Sequence, residues 1–107
     1  MNLIKYNFTR CLKRSYDEHY SVIFRVTYHG EKEELYSGVT VHKKDWDYKK
    51  NQVKQGCKVN GYYYNILNCY LRTLENFIDN YFIDHQLHGS PATLSKLKER
   101  FYNEVKR

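Results

Sequence analysis

The residues of this chain that first suggest metal or proton chemistry are five histidines, three cysteines and the close pair Asp45 and Asp47. His85 and His88 stand three apart near the end of a helical run, a spacing that puts both on one helix face. Asp84 and Cys69 are the conceivable co-ligands, but no HExxH pattern or CxxC pair accompanies them. Imidazoles in a last helical turn also complement its negative end. Cys11, Cys57 and Cys69 are odd in number and widely spaced, which reads as reduced thiols inside the cell. Asp45 and Asp47 are expected to balance neighbouring lysines and to cap backbone turns. There is no glycine-rich phosphate loop and no GxSxG elbow. The expectation is a non-catalytic chain with no metal site, no cofactor and no small-molecule substrate.

The side chains left to do chemistry are the cations. Residues 1–60 carry twelve basic against seven acidic groups, whereas residues 61–107 carry six against five. Lys5, Arg10, Lys13 and Arg14 occur in the first fourteen residues with no acid among them. Lys43, Lys44, Lys49, Lys50, Lys54 and Lys58 follow with only Asp45 and Asp47 between. A basic half joined to a nearly neutral half suggests a surface for a polyanion. No apolar run approaches the roughly 18 residues that a bilayer requires, and Met1-Asn2-Leu3-Ile4-Lys5-Tyr6 lacks the apolar core of a signal peptide. A cytoplasmic protein without membrane contact is therefore expected.

The elements that must position these cations follow from periodicity. Ile4, Tyr6 and Phe8 alternate with Lys5, Asn7 and Thr9. Val22, Phe24, Val26 and Tyr28 alternate with Ser21, Ile23, Arg25 and Thr27. After the turn signal His29-Gly30-Glu31, Leu35, Ser37, Val39 and Val41 alternate with Glu34, Tyr36 and Thr40, and Gly38 hints at a bulge. Residues 42–51 read as a loop anchored by Trp46. Asn60-Gly61 then precedes a helical stripe of Tyr63, Ile66, Leu67, Tyr70, Leu71, Leu74, Phe77, Ile78, Tyr81 and Phe82, stopped by Gly89. A second helix begins within Ser90-Pro91-Ala92-Thr93, carries Leu94, Leu97, Phe101 and Val105, and reaches Lys106-Arg107 without a stop, so a continuing chain is expected. The predicted fold class is α+β, a three-stranded antiparallel sheet packed on one long helix, with a short second helix after it.

If the helix covers the face of Tyr6, Phe8, Val22, Phe24, Val26 and Leu35, the other face is free. It would show Asn7, Thr9, Arg25, Thr27 and Tyr36 as base-facing candidates. Lys5, Lys13, Arg14, Lys43 and Lys44 would lie around it as phosphate-facing candidates. Arginine suits guanine and asparagine suits adenine in the major groove of double-stranded DNA. Lysines on phosphates would make such binding salt-dependent. A double-stranded RNA binder or a protein-interaction module are the other readings of the same surface.

The order of Val22-Ile23-Phe24-Arg25-Val26-Thr27-Tyr28-His29-Gly30, then Leu35-Tyr36-Ser37-Gly38-Val39-Thr40-Val41, then Asp45-Trp46-Asp47 with a lysine-rich tail and a long helix, resembles a known family. It is similar to the N-terminal arm DNA-binding domains of tyrosine recombinases (integrases) of Bacteroides-type mobile elements, with their "IxLRITVxG", "FSTGIKV" and "W-[DN]-x-K-K" stretches. The resemblance covers residues 1–88. Residues 89–107 are similar to the opening of the helical core-binding domain that follows, although Thr93-Leu94-Ser95-Lys96-Leu97 departs from the acidic family pattern. It implies a sheet that grips arm-type DNA sites in the major groove, while the remainder of the recombinase chain cuts core sites. It also implies that the Tyr nucleophile with Arg and His partners lies outside this chain.

Overall fold

Tight turns built from residues that tolerate positive φ create the sheet. In the computed structural model, which describes residues 3–105, strand β1 (Tyr6–Tyr16) turns at Asp17 (φ 46°) into β2 (His19–Tyr28). His29 and Gly30, with φ of 52° and 76°, then lead into β3 (Glu31–His42). Two consecutive positive φ values match the right-handed twist of a hairpin, and glycine takes the second at no steric cost. The result is the expected antiparallel meander in the order β1-β2-β3. The first strand is longer than its short alternation suggested, and Lys5 lies just before it. Met1, Asn2, Lys106 and Arg107, on which the leader and missing-stop readings partly rest, lie outside the described residues.

Gly38 marks a bulge in β3. Ser21 faces Thr40 while Ile23 faces Tyr36, so residues 37–39 stand opposite Val22 alone. Side chains satisfy the backbone groups that this break releases. Ser37 Oγ donates to the Val22 carbonyl at 2.7 Å and accepts from Val39 N–H at 3.0 Å. Tyr70 Oη donates to the Ser37 carbonyl at 3.1 Å, and Tyr36 N–H donates to Tyr102 Oη at 3.0 Å.

Residues 43–63, of which 43–51 were expected to be a loop with at most a short helical turn, form a 3₁₀ turn (Lys43–Asp45) and two small hairpins. The first joins β4 (Trp46–Asp47) and β5 (Gln52–Val53); the second joins β6 (Lys58–Val59) and β7 (Tyr62–Tyr63). Strands of two residues are too short to show any period, which is why the sequence did not reveal them. Trp46 is 1% exposed, the anchor its size predicts. Asp47 Oδ1 accepts from Lys49 and Lys50 N–H at 3.0 Å each, the turn-capping role expected of it.

Helix α1 (Tyr64–His88) starts directly after β7 and ends at Gly89 in the left-handed region (φ 68°). Its Leu67, Leu71, Leu74, Ile78, Tyr81 and Phe82 are buried against Val22, Phe24, Val26 and Leu35 of the sheet. Tyr63 and Ile66, assigned above to the same stripe, are exposed. Asn68, a polar residue outside that stripe, is nevertheless buried: its amide receives Val53 N–H at 2.9 Å and donates to the Val53 carbonyl at 3.1 Å. That pair fastens the β4–β5 hairpin to the helix. Helix α2 (Leu94–Val105) is capped by Thr93, whose Oγ1 accepts from Lys96 N–H at 3.1 Å. Its Leu94, Leu97 and Phe101 join the same core, with the Phe101 ring edge-on to Phe24 (6.1 Å) and Phe77 (6.2 Å).

Candidate nucleic-acid interface

Both helices pack on one face of the sheet, and strand register orders the side chains of the other. Cross-strand partners on that outer face form four rows: Asn7–Thr27–Lys32, Thr9–Arg25–Glu34, Cys11–Ile23–Tyr36 and Lys13–Ser21–Thr40. Asn7, Thr9, Lys13, Arg25, Lys32 and Tyr36 are exposed, and Thr27 is half-buried. All five base-facing candidates therefore share one surface, with Arg25 on its middle strand. Lys32 belongs to this surface too. It was missed, although its parity with Glu34 and Tyr36 in the third strand would have found it.

The cationic candidates are more scattered. Lys13 closes the last row of the grid. Lys5 is exposed and precedes the first row on β1. Arg14 pairs with Tyr20, one step beyond Lys13↔Ser21, so alternation sends it to the opposite face with Leu12. Lys43 and Lys44 sit in the 3₁₀ turn after β3, beyond the grid. Lys43 Nζ lies 3.3 Å from Glu18, and Lys44 N–H donates to His42 Nδ1 at 3.1 Å. Arg10, counted above in the basic N-terminal stretch, shares parity with Tyr6, Phe8 and Leu12. It lies on the helix side, ion-paired with Glu75 of α1 and donating to the Asn51 carbonyl at 2.9 Å. Its charge is spent inside the fold.

The outer face contains one carboxylate among its four rows, and that carboxylate is engaged twice. Lys13 Nζ donates to Glu34 Oε1 at 2.7 Å, and Arg25 Nη2 donates to Glu34 Oε2 at 3.0 Å. These hydrogen bonds, that of Lys13 first, hold the Glu34 carboxyl below its ordinary value. The same contacts raise Lys13 and Arg25. Lys13 also stands over the Tyr36 ring, 5.8 Å from its centroid. Ile23, on the same face, is completely buried between its cross-strand neighbours Cys11 and Tyr36. Glu31 and Glu33 alternate away from this face, and Glu33 pairs with Lys98 of α2 at 3.0 Å. The acidic run after the hairpin thus adds Glu34 alone to the surface.

Among the described residues no group of three or more His, Cys, Asp or Glu could hold an ion. His85 Nδ1 lies 3.1 Å from the Ser90 carbonyl, and His88 Nδ1 lies 2.8 Å from the Asp84 carbonyl, so these rings serve the end of α1. No helix among the described residues is long and apolar enough to cross a membrane.

A three-stranded sheet backed by helices thus presents an outer face whose exposed side chains are polar and mostly cationic where charged, a surface suited to a polyanion. A family model described as Arm DNA-binding domain matches residues 6–98, from the first strand into the second helix. The chain belongs to the Arm DNA-binding domain family, a family of non-catalytic DNA-binding modules. No curated protein and no solved structure matches it.

Proposed function

We propose that this chain is the arm-site-reading module of a tyrosine recombinase of the Bacteroides mobile-element type, acting in the cytoplasm. It binds double-stranded DNA sequence-specifically by laying the outer face of its sheet in the major groove. Asn7, Thr9, Arg25, Thr27 and Tyr36 face bases; Lys5, Lys13, Arg14, Lys43 and Lys44 face phosphates. Residues 89–107 lead toward a helical core-binding domain in the remainder of the recombinase chain. The observation that carries the reading is the uncovered grid centred on Arg25, with hydrogen-bonding side chains on all three strands. Its dimensions suit the target: three strands span about 10 Å between outer axes, and the groove is about 12 Å wide. The Arg14 register favours a phosphate beyond the groove wall over one beneath the sheet, because that side chain leaves from the far face.

The test is selection from random-sequence DNA duplexes at near-physiological salt, followed by sequencing of what the protein retains. An enriched motif is the expected result. Retention without enrichment contradicts base-specific reading, and preference for duplex RNA of equal length would assign the surface to RNA instead.

A further inference from the structure

We infer that Glu34 is a specificity-determining residue, forming with Arg25 a donor–acceptor pair that selects the edge of a G·C base pair and turns phosphates away. The inference rests on the DNA-reading proposal above and gives that surface a particular base pair.

An acid at the centre of a DNA-facing sheet needs a reason. Folding does not supply one: Arg25, Lys13 and Glu34 retain 49%, 48% and 31% side-chain exposure, and ion pairs so exposed add little stability. The geometry supplies one. Arg25 donates to Glu34 through Nη2, and among the described residues its Nη1 makes no hydrogen bond, which leaves that nitrogen to donate elsewhere. Each Glu34 oxygen carries one hydrogen bond, from Lys13 or from Arg25, and each has a further lone pair to offer. Side by side on adjacent strands, the two groups present donors and then an acceptor. A G·C pair shows the complement in the major groove: N7 and O6 accept on guanine, and the N4 amino group donates on cytosine. A phosphate offers acceptors alone. It would satisfy Arg25 while facing the Glu34 carboxylate, which repels it, so sequence-blind binding is penalised at the centre of the face.

The experiment takes the full chain and its Glu34→Gln variant through the same duplex selection, then measures the affinity of each for the selected and a scrambled duplex. Glutamine keeps the shape and an acceptor but loses the charge and adds a donor. The wild-type motif should contain a fixed G·C pair whose replacement by A·T weakens binding about tenfold or more. Glu34→Gln should retain the wild-type circular dichroism spectrum, bind the scrambled duplex about three- to tenfold tighter, and discriminate at that pair by about threefold or less. An unchanged motif with both duplexes tightened equally would show Glu34 to be a bulk charge and overturn the inference. A sharp motif with no fixed G·C pair overturns it as well, while leaving the DNA-reading proposal intact. Failure of the wild type to enrich any motif removes both.

Discussion

Arg10 and Arg25 lie on adjacent strands, one row apart, and each is paired with a glutamate, yet they belong to different parts of the chemistry. Arg10 points to the helix side, where its side chain is 10% exposed and Glu75 is 23% exposed. Arg25 points outward, where it is 49% exposed beside Glu34. The first pair joins strand to helix, and its guanidinium also holds the Asn51 carbonyl while Asn51 Nδ2 returns a bond to the Arg10 carbonyl at 3.0 Å. The second pair joins neighbouring strands across an open surface. Identical side chains are thus drawn into the fold or left at the open surface according to which face their strand position takes.

Removing Arg10 should have the largest effect on stability. Arg10→Ala leaves Glu75 partly buried without its cation and costs about 2–3 kcal/mol, below the full penalty for breaking a buried pair. Urea or thermal unfolding measures this, and a loss under about 0.5 kcal/mol, typical of a surface change, would erase the distinction between the two arginines.

A smaller, pH-limited effect belongs to Tyr6, another polar group on the helix side of β1. Its phenol stacks on Phe82 at 4.1 Å and donates to Asp79 of α1. Burial first, and the Asp79 carboxylate second, push its pKa up from 10.0 to about 12. The folded state therefore holds the phenol proton more tightly than the unfolded chain does. The stabilisation is fully present below the unfolded pKa and is lost as pH rises through the folded one, a window of about 10 to 12. Tyr6→Phe should flatten the fall in unfolding free energy across that window, and an identical slope in both proteins would remove Tyr6 as its source.

Parity made much of this legible. Tyr6, Phe8, Val22, Phe24, Val26 and Leu35 were assignable to the covered face from alternation alone, and the sheet-on-helix fold followed. The same parity puts Arg10 with Leu12, although a count of charges groups it with Lys13 and Arg14. Ile23 shows where alternation fails: the middle strand has neighbours on both sides, so an outward apolar residue is still covered by Cys11 and Tyr36. Asn68 shows the reverse, a polar residue drawn inside because the β4–β5 hairpin needed its amide. The link of Glu34 to Arg25 and Lys13 depends on the register of three strands at once. That register is set by the Asp17 turn on one side and the His29-Gly30 turn on the other, and the first gave no sequence signal comparable to the second.

The central claim is that the outer face, through Arg25, reads DNA. Its most direct test is the affinity of the wild type and Arg25→Ala for the selected duplex and for a scrambled one, with unfolding measured alongside. The account predicts an unfolding midpoint close to wild type, a loss of about 1–3 kcal/mol on the selected duplex and relaxed preference at one base pair. Equal affinity and preference in the two proteins would contradict it and move recognition off this face of the sheet.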